Sequence, residues 1–123
     1  MIHSKPGAWQ HWDFSQPTEV FLDIVAAIRS TSIRVNFDTA NPLVYGDDPL
    51  SLLSQIVDLV ETVHAADTAV RGNLQPVLLG QGLVPFDKIF AFLKQHGFAG
   101  WICMEEASNS GRSGVERAAS YVR

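Results

Sequence analysis

The segments VNFD (35–38), VETVHAAD (60–67) and GWICMEE (100–106) are short, largely apolar, and each ends in a carboxylate, while the stretches around them carry apolar residues at helical spacing. Strands alternating with helices argue for βα units in a parallel sheet. Such sheets keep their ligand sites at the C-terminal ends of the strands, where the loops are free to vary. Carboxylates at those ends are therefore the first candidates for chemistry.

The periods support this division. Ile33, Val35 and Phe37 alternate with Arg34, Asn36 and Asp38, a strand with one apolar and one polar face. In the second segment Thr62, His64 and Ala66 share a face; in the third, Trp101, Cys103 and Glu105 oppose Ile102 and Met104. Pro17 and Glu19 open a helix carrying Val20, Phe21, Ile24, Val25 and Ile28, which is predicted to stop near Ser30. Asp48 before Pro49 reads as an N-cap, with Leu50, Leu53 and Val57 as the buried stripe behind it. The loop LGQGLVP leads into Phe86, Ile89, Phe90 and Leu93, a helix closed by Gly97, and Val115, Ala118, Ala119 and Val122 make a short final helix.

At 123 residues, 46% of them hydrophobic and 18% charged, the sequence suits one soluble domain spanning 1–123. A net charge of -4 with no basic run argues against a nucleic-acid surface or an anionic-membrane anchor. The single cysteine, Cys103, and the lack of a charged-then-apolar leader point to the cytoplasm. No apolar run approaches the ~20 residues that span a bilayer.

Three stretches together carry a family resemblance: VNFDTANPLV, then VHAADT, then PVLLGQGLVPFDKIFAFLKQHGFAGWICMEEAS. They resemble the later half of the xylose-isomerase-like TIM barrels, the sugar-phosphate isomerase/epimerase group that includes the inosose dehydratases and, more distantly, the type IV apurinic endonucleases. IHSKPGAWQHWDFSQPTEVFLDIVAAI is similar to the family segment that begins Glu-Asn-His and runs into a helix. The resemblance implies a divalent metal held by a glutamate, an aspartate, a histidine and a second glutamate from separate strand ends. Asp38, His64 and Glu105 match the last three; Met1 stands where the first glutamate is expected, and His3 falls at the family's histidine.

Two carboxylates and an imidazole suit Mn²⁺, Zn²⁺, Mg²⁺ or Co²⁺, and an open position would accept a substrate's vicinal oxygens. Such a cation polarises a carbonyl and lowers the cost of an enediolate at the adjacent carbon. In the full family two glutamates divide the proton transfer; here Glu105 alone is the candidate acid/base. His3, Asn36, Asp67 and Arg112 are the candidate substrate contacts.

Each residue also has a plainer reading. Asp38 followed by Thr39 and Asn41 suits an Asx-type turn, His64 a buried histidine satisfied by a neighbour, and Asp67 a loop cap or a partner behind the ligands. Gly80 and Gly82 serve a turn or the approach of a substrate oxygen; Trp9, His11 and Trp12 wall a pocket or pack on a helix. Arg112 binds an acidic substrate group or sits in a loop, Glu106 faces solvent while Glu105 faces inward, and Cys103 is a core residue.

A complete (β/α)₈ barrel takes ~250 residues. This chain supplies about four βα units, the first strand reduced to the residues around Ile2, so the expectation is a partial TIM barrel, half of the full fold. Open strand edges call for a partner. A second copy, another chain, or a missing N-terminal half would supply it, and the homo-oligomer is the expectation carried forward. The expected activity, conditional on that completion, is metal-dependent isomerisation or epimerisation of a small ketose or polyol. The alternative is a non-catalytic half-barrel that lost the first glutamate; endonuclease chemistry is disfavoured by only four histidines and the negative charge.

Overall fold

In the computed structural model, which describes residues 17–28 and 31–123, the alternation becomes three strands and five helices among the described residues. In chain order these are α1 (Thr18–Ala27), β1 (Val35–Asp38), α2 (Asn41–Val44), α3 (Pro49–Ile56), β2 (Val60–Ala65), α4 (Phe86–Gln95), β3 (Trp101–Met104) and α5 (Gly111–Val122). A single 3-10 turn, Val57–Leu59, joins α3 to β2. The expected first strand around Ile2 and the group Trp9, His11 and Trp12 lie outside the described residues, while the first helix, expected to stop near Ser30, ends at Ala27.

The sheet is parallel throughout, in the order β1-β2-β3. This is the α/β arrangement the sequence predicts. Asn36 pairs with Thr62 and Thr62 with Trp101; two residues on, Asp38 pairs with His64 and His64 with Cys103. Side chains in one row therefore share a face. The register slips between Val35 and Asn36, a bulge that brings the polar row of β1 level with that of β2.

The opposite face makes the core. Phe37, Val63 and Ala65 cluster with Leu53 and Ile56 of α3 and with Phe86, Ile89 and Leu93 of α4. Asp48 caps α3, its carboxylate accepting from the N–H groups of Leu50 and Ser51. The buried stripe of α3 is Pro49, Leu52, Leu53 and Ile56 rather than Leu50, Leu53 and Val57, because the helix stops at Ile56 and the 3-10 turn carries Val57 off its face. Helix α4 ends as expected, in a Schellman arrangement: Gly97 has φ +71, its N–H donates to Lys94, and the Phe98 N–H reaches back to Leu93.

The packing weakens toward both sheet edges. Helix α1 buries no residue, although Phe21 and Leu22 touch the core, and it is tied to the rest through the Thr18 N–H and the Asp47 carboxylate at 2.8 Å. All of β3 is exposed, Trp101 to 78%. Cys103, expected in the core, is exposed on the polar face, since no described element covers that side of the strand. No helix among the described residues is long and apolar enough to cross a membrane.

Candidate functional site

Strand β1 ends at Asp38 because the next residues curl into α2. Asp38 Oδ1 accepts from the N–H groups of Ala40 at 2.8 Å and Asn41 at 3.0 Å. The Asx turn is therefore real, and it uses one carboxylate oxygen only. Oδ2 makes neither of those bonds. Burial pushes the Asp38 carboxyl up to about 6; the amides of Asn41 and Ala40 pull it down, the nearby Glu105 carboxylate raises it, and His64 lowers it.

Across the ladder stands His64, with Glu105 one residue past the end of β3, its N–H donating to the Ala65 carbonyl at 2.9 Å. His64 Nδ1 lies 3.8 Å from Glu105 Oε2, and the two side chains are 41% and 58% exposed. The reading of His64 as a buried core histidine does not hold. One ligand atom from each of Asp38, His64 and Glu105 lies within 4.8 Å of the others.

This donor set fits a divalent cation. With metal–ligand bonds of about 2.0–2.2 Å at tetrahedral angles, two ligand atoms on one ion stand ~3.3–3.6 Å apart, so the widest pair must close by up to roughly 1.5 Å. The exposed side chains of His64 and Glu105 have room to do so. Three protein ligands leave positions for substrate oxygens.

The trio opens on a cleft of about 900 Å³. Phe21 and Ile24 of α1 and Ile28 at its C-terminal cap form one wall, and Asn36 lies on the other, its Oδ1 accepting from the Thr62 hydroxyl at 2.7 Å. The other candidates lie elsewhere. Asp67 is buried, its Oδ1 accepting from the N–H groups of Thr68 and Val84 and its Oδ2 from those of Gly80 and Gly82, all at 2.9–3.1 Å. It is the cap of the 67–84 loop. Gly82 serves that cap, since a Cβ there would strike Asp67 Oδ1 and the Thr68 carbonyl, and Gly80 turns with φ +89.

Arg112 stands on α5 with its side chain 92% exposed, bonded through Nε to Glu116 at 2.8 Å. It is not among the residues lining the cleft. His3 is outside the described residues. Glu106, expected in solvent, is less exposed than Glu105: its carboxylate accepts from the Ser108 N–H at 2.8 Å and rests over Gly114, where no side chain stands in the way. Thr39, which sequence reasoning took as a turn residue, is fully buried between the strand ends. Its position directly after Asp38 was the available signal.

A family model described as xylose isomerase-like TIM barrel matches residues 5–123. Three solved structures share the fold. A xylose isomerase domain protein from Planctomyces limnophilus superposes with a TM-score of 0.74 at 23% identity, over 88% of this chain and 42% of that one. The probable 3-DHS dehydratase AsbF involved in petrobactin synthesis, from Bacillus anthracis, gives 0.72 at 12% identity, over 86% and 44%. A D-tagatose 3-epimerase-like protein gives 0.68 at 24% identity, over 86% and 39%. The chain thus spans less than half the length of these relatives. A search of curated proteins gives no significant match.

Proposed function

Because the chain belongs to the xylose isomerase-like TIM barrel family, we propose that it carries one half of a metal-dependent sugar isomerase or epimerase centre, acting on a small ketose or polyol. The convergence of Asp38, His64 and Glu105 at the C-terminal ends of three adjacent parallel strands carries this reading. Asp38, through the oxygen left free by the Asx turn, would hold the cation together with His64 and Glu105; Mn²⁺, Zn²⁺, Mg²⁺ and Co²⁺ all suit these donors. Bound there, the cation supplies positive charge that polarises a substrate carbonyl and acidifies the neighbouring C–H.

The chain's own residues do the rest. Glu105, exposed toward the cleft, is the base that takes the proton from carbon and returns it. One base on one face can move a proton between adjacent carbons, which is isomerisation. Inversion at a single carbon needs a second base across the substrate, and the completing half of the barrel would supply it. That half is a second copy of this chain in our reading, with a missing N-terminal half as the other source, and the setting is cytoplasmic. Asn36 sits where a substrate hydroxyl would lie; Asp67 and Arg112 are engaged elsewhere, and His3 stays a substrate contact implied by the resemblance alone.

The test is Mn²⁺ uptake by calorimetry and elemental analysis, with isomerisation assays on several ketoses. His64→Ala is expected to weaken Mn²⁺ binding ~100-fold or more. Equal uptake by the parent and His64→Ala proteins would remove the site. Light scattering is expected to give a dimer, and a well-folded monomer in dilute solution would exclude self-completion. A second reading, binding without turnover, is favoured by Met1 at the family's first glutamate, and metal uptake with no product from any ketose would select it.

A further inference from the structure

Thr39 has no exposed surface, and its hydroxyl makes two bonds to a single residue across the sheet. It donates to the Ala66 carbonyl at 2.6 Å and accepts from the Ala66 N–H at 3.0 Å. The Thr39 N–H itself donates to the His64 carbonyl at 3.0 Å. Beyond this point the chain turns into α2, so the main chain of β1 offers Ala66 no further rung. The side chain takes that rung's place.

The stretch 64–66 is gripped from its other side as well, by the Glu105 N–H on the Ala65 carbonyl. All three ligand-bearing segments therefore meet on three consecutive residues of one strand end. His64 and Glu105 are too exposed for packing to fix their donor atoms, so the backbone beneath them must do it. Thr39 lies on that backbone between Asp38 and the two amides, Ala40 and Asn41, that hold the Asp38 carboxylate.

We propose that Thr39 is a positioning residue for the metal centre, its hydroxyl setting the spacing between the Asp38 and His64 strand ends past the last main-chain rung. The proposal rests on the metal-binding reading above. Valine has the same shape but cannot bond, and it would leave the Ala66 N–H and carbonyl unpaired in a buried place. Serine keeps the hydroxyl. Cysteine offers a weaker and longer bond in nearly the same volume.

The experiment titrates the full chain and its Thr39→Ser, Thr39→Cys and Thr39→Val variants with Co²⁺ alone, following both affinity and the visible absorption bands, which report ligand geometry. Serine is expected to bind within about threefold of threonine with the same bands, and valine to lose about tenfold or more with altered bands, by analogy with other outer partners of metal ligands. Cysteine should fall between. Should the valine protein fail to fold, the step from serine to cysteine carries the comparison. Equal affinities and identical bands across the folded variants overturn the positioning role. A parent chain that takes up no Co²⁺ instead overturns the metal reading, and this role with it.

Discussion

The first two strands each deliver an aspartate just at or past their C-terminal end, and the molecule uses the two in opposite ways. Asp67 is withdrawn from solvent and spends both oxygens on four backbone N–H groups of one loop. Asp38 gives one oxygen to two N–H groups and leaves the other toward His64, Glu105 and the cleft. The contrast teaches that a carboxylate saturated by backbone amides serves the loop it caps, whereas a half-satisfied one keeps an oxygen available at the mouth of the cleft.

The widest gap is expected at Asp67. Replacing Asp67 with alanine strands four amides in a buried place and should lower unfolding stability by about 3–5 kcal/mol. Urea denaturation measures it, and a loss under ~1 kcal/mol would mean that water can do the carboxylate's work. Asp48 supplies the midpoint: it caps α3 with two bonds from an exposed position, so Asp48→Ala should cost about 1 kcal/mol in the same assay.

Asp38→Asn should raise stability near pH 7 while abolishing metal uptake. Its sign can be worked out from the carboxyl's shift. The folded value of about 6 lies above the ordinary value near 3.9, so Asp38 contributes stability that is complete below pH ~4 and lost as pH rises through about 6. Asparagine stays neutral at every pH, so the two proteins should match at pH 4, diverge between pH 4 and about 6 in favour of the variant, and hold that gap at higher pH. Metal affinity of the parent should rise over the same interval as the proton leaves. Curves that stay parallel from pH 4 to 7.5 would place Asp38 with Asp67 and erase the contrast.

Much of this was legible in the sequence, for physical reasons. Period-two alternation in 33–38 placed Asp38 on the polar face, and Asp48-Pro49 and Gly97 marked helix ends, because caps and turns are written in neighbouring residues. What escaped were contacts between distant residues. The four bonds of Asp67 reach as far as Val84, and those of Thr39 reach Ala66; no local pattern foretells either. The four-residue α2 is too short for a period, so its Asn-Pro start read only as a turn. Cys103 was misplaced because an apolar-looking strand implies cover on both faces, and here one face is open.

The all-parallel order of the sheet also governs how this chain can reach its native state. Each rung joins residues separated by at least one helix, Asp38 with His64 and His64 with Cys103, so no strand pair can zip up from a tight turn. Loop closure must precede any reward from pairing, which slows assembly and leaves bare strand borders while it proceeds. Helices α3 and α4, with their local caps, are the segments able to form early and offer an apolar surface on which β2 can settle.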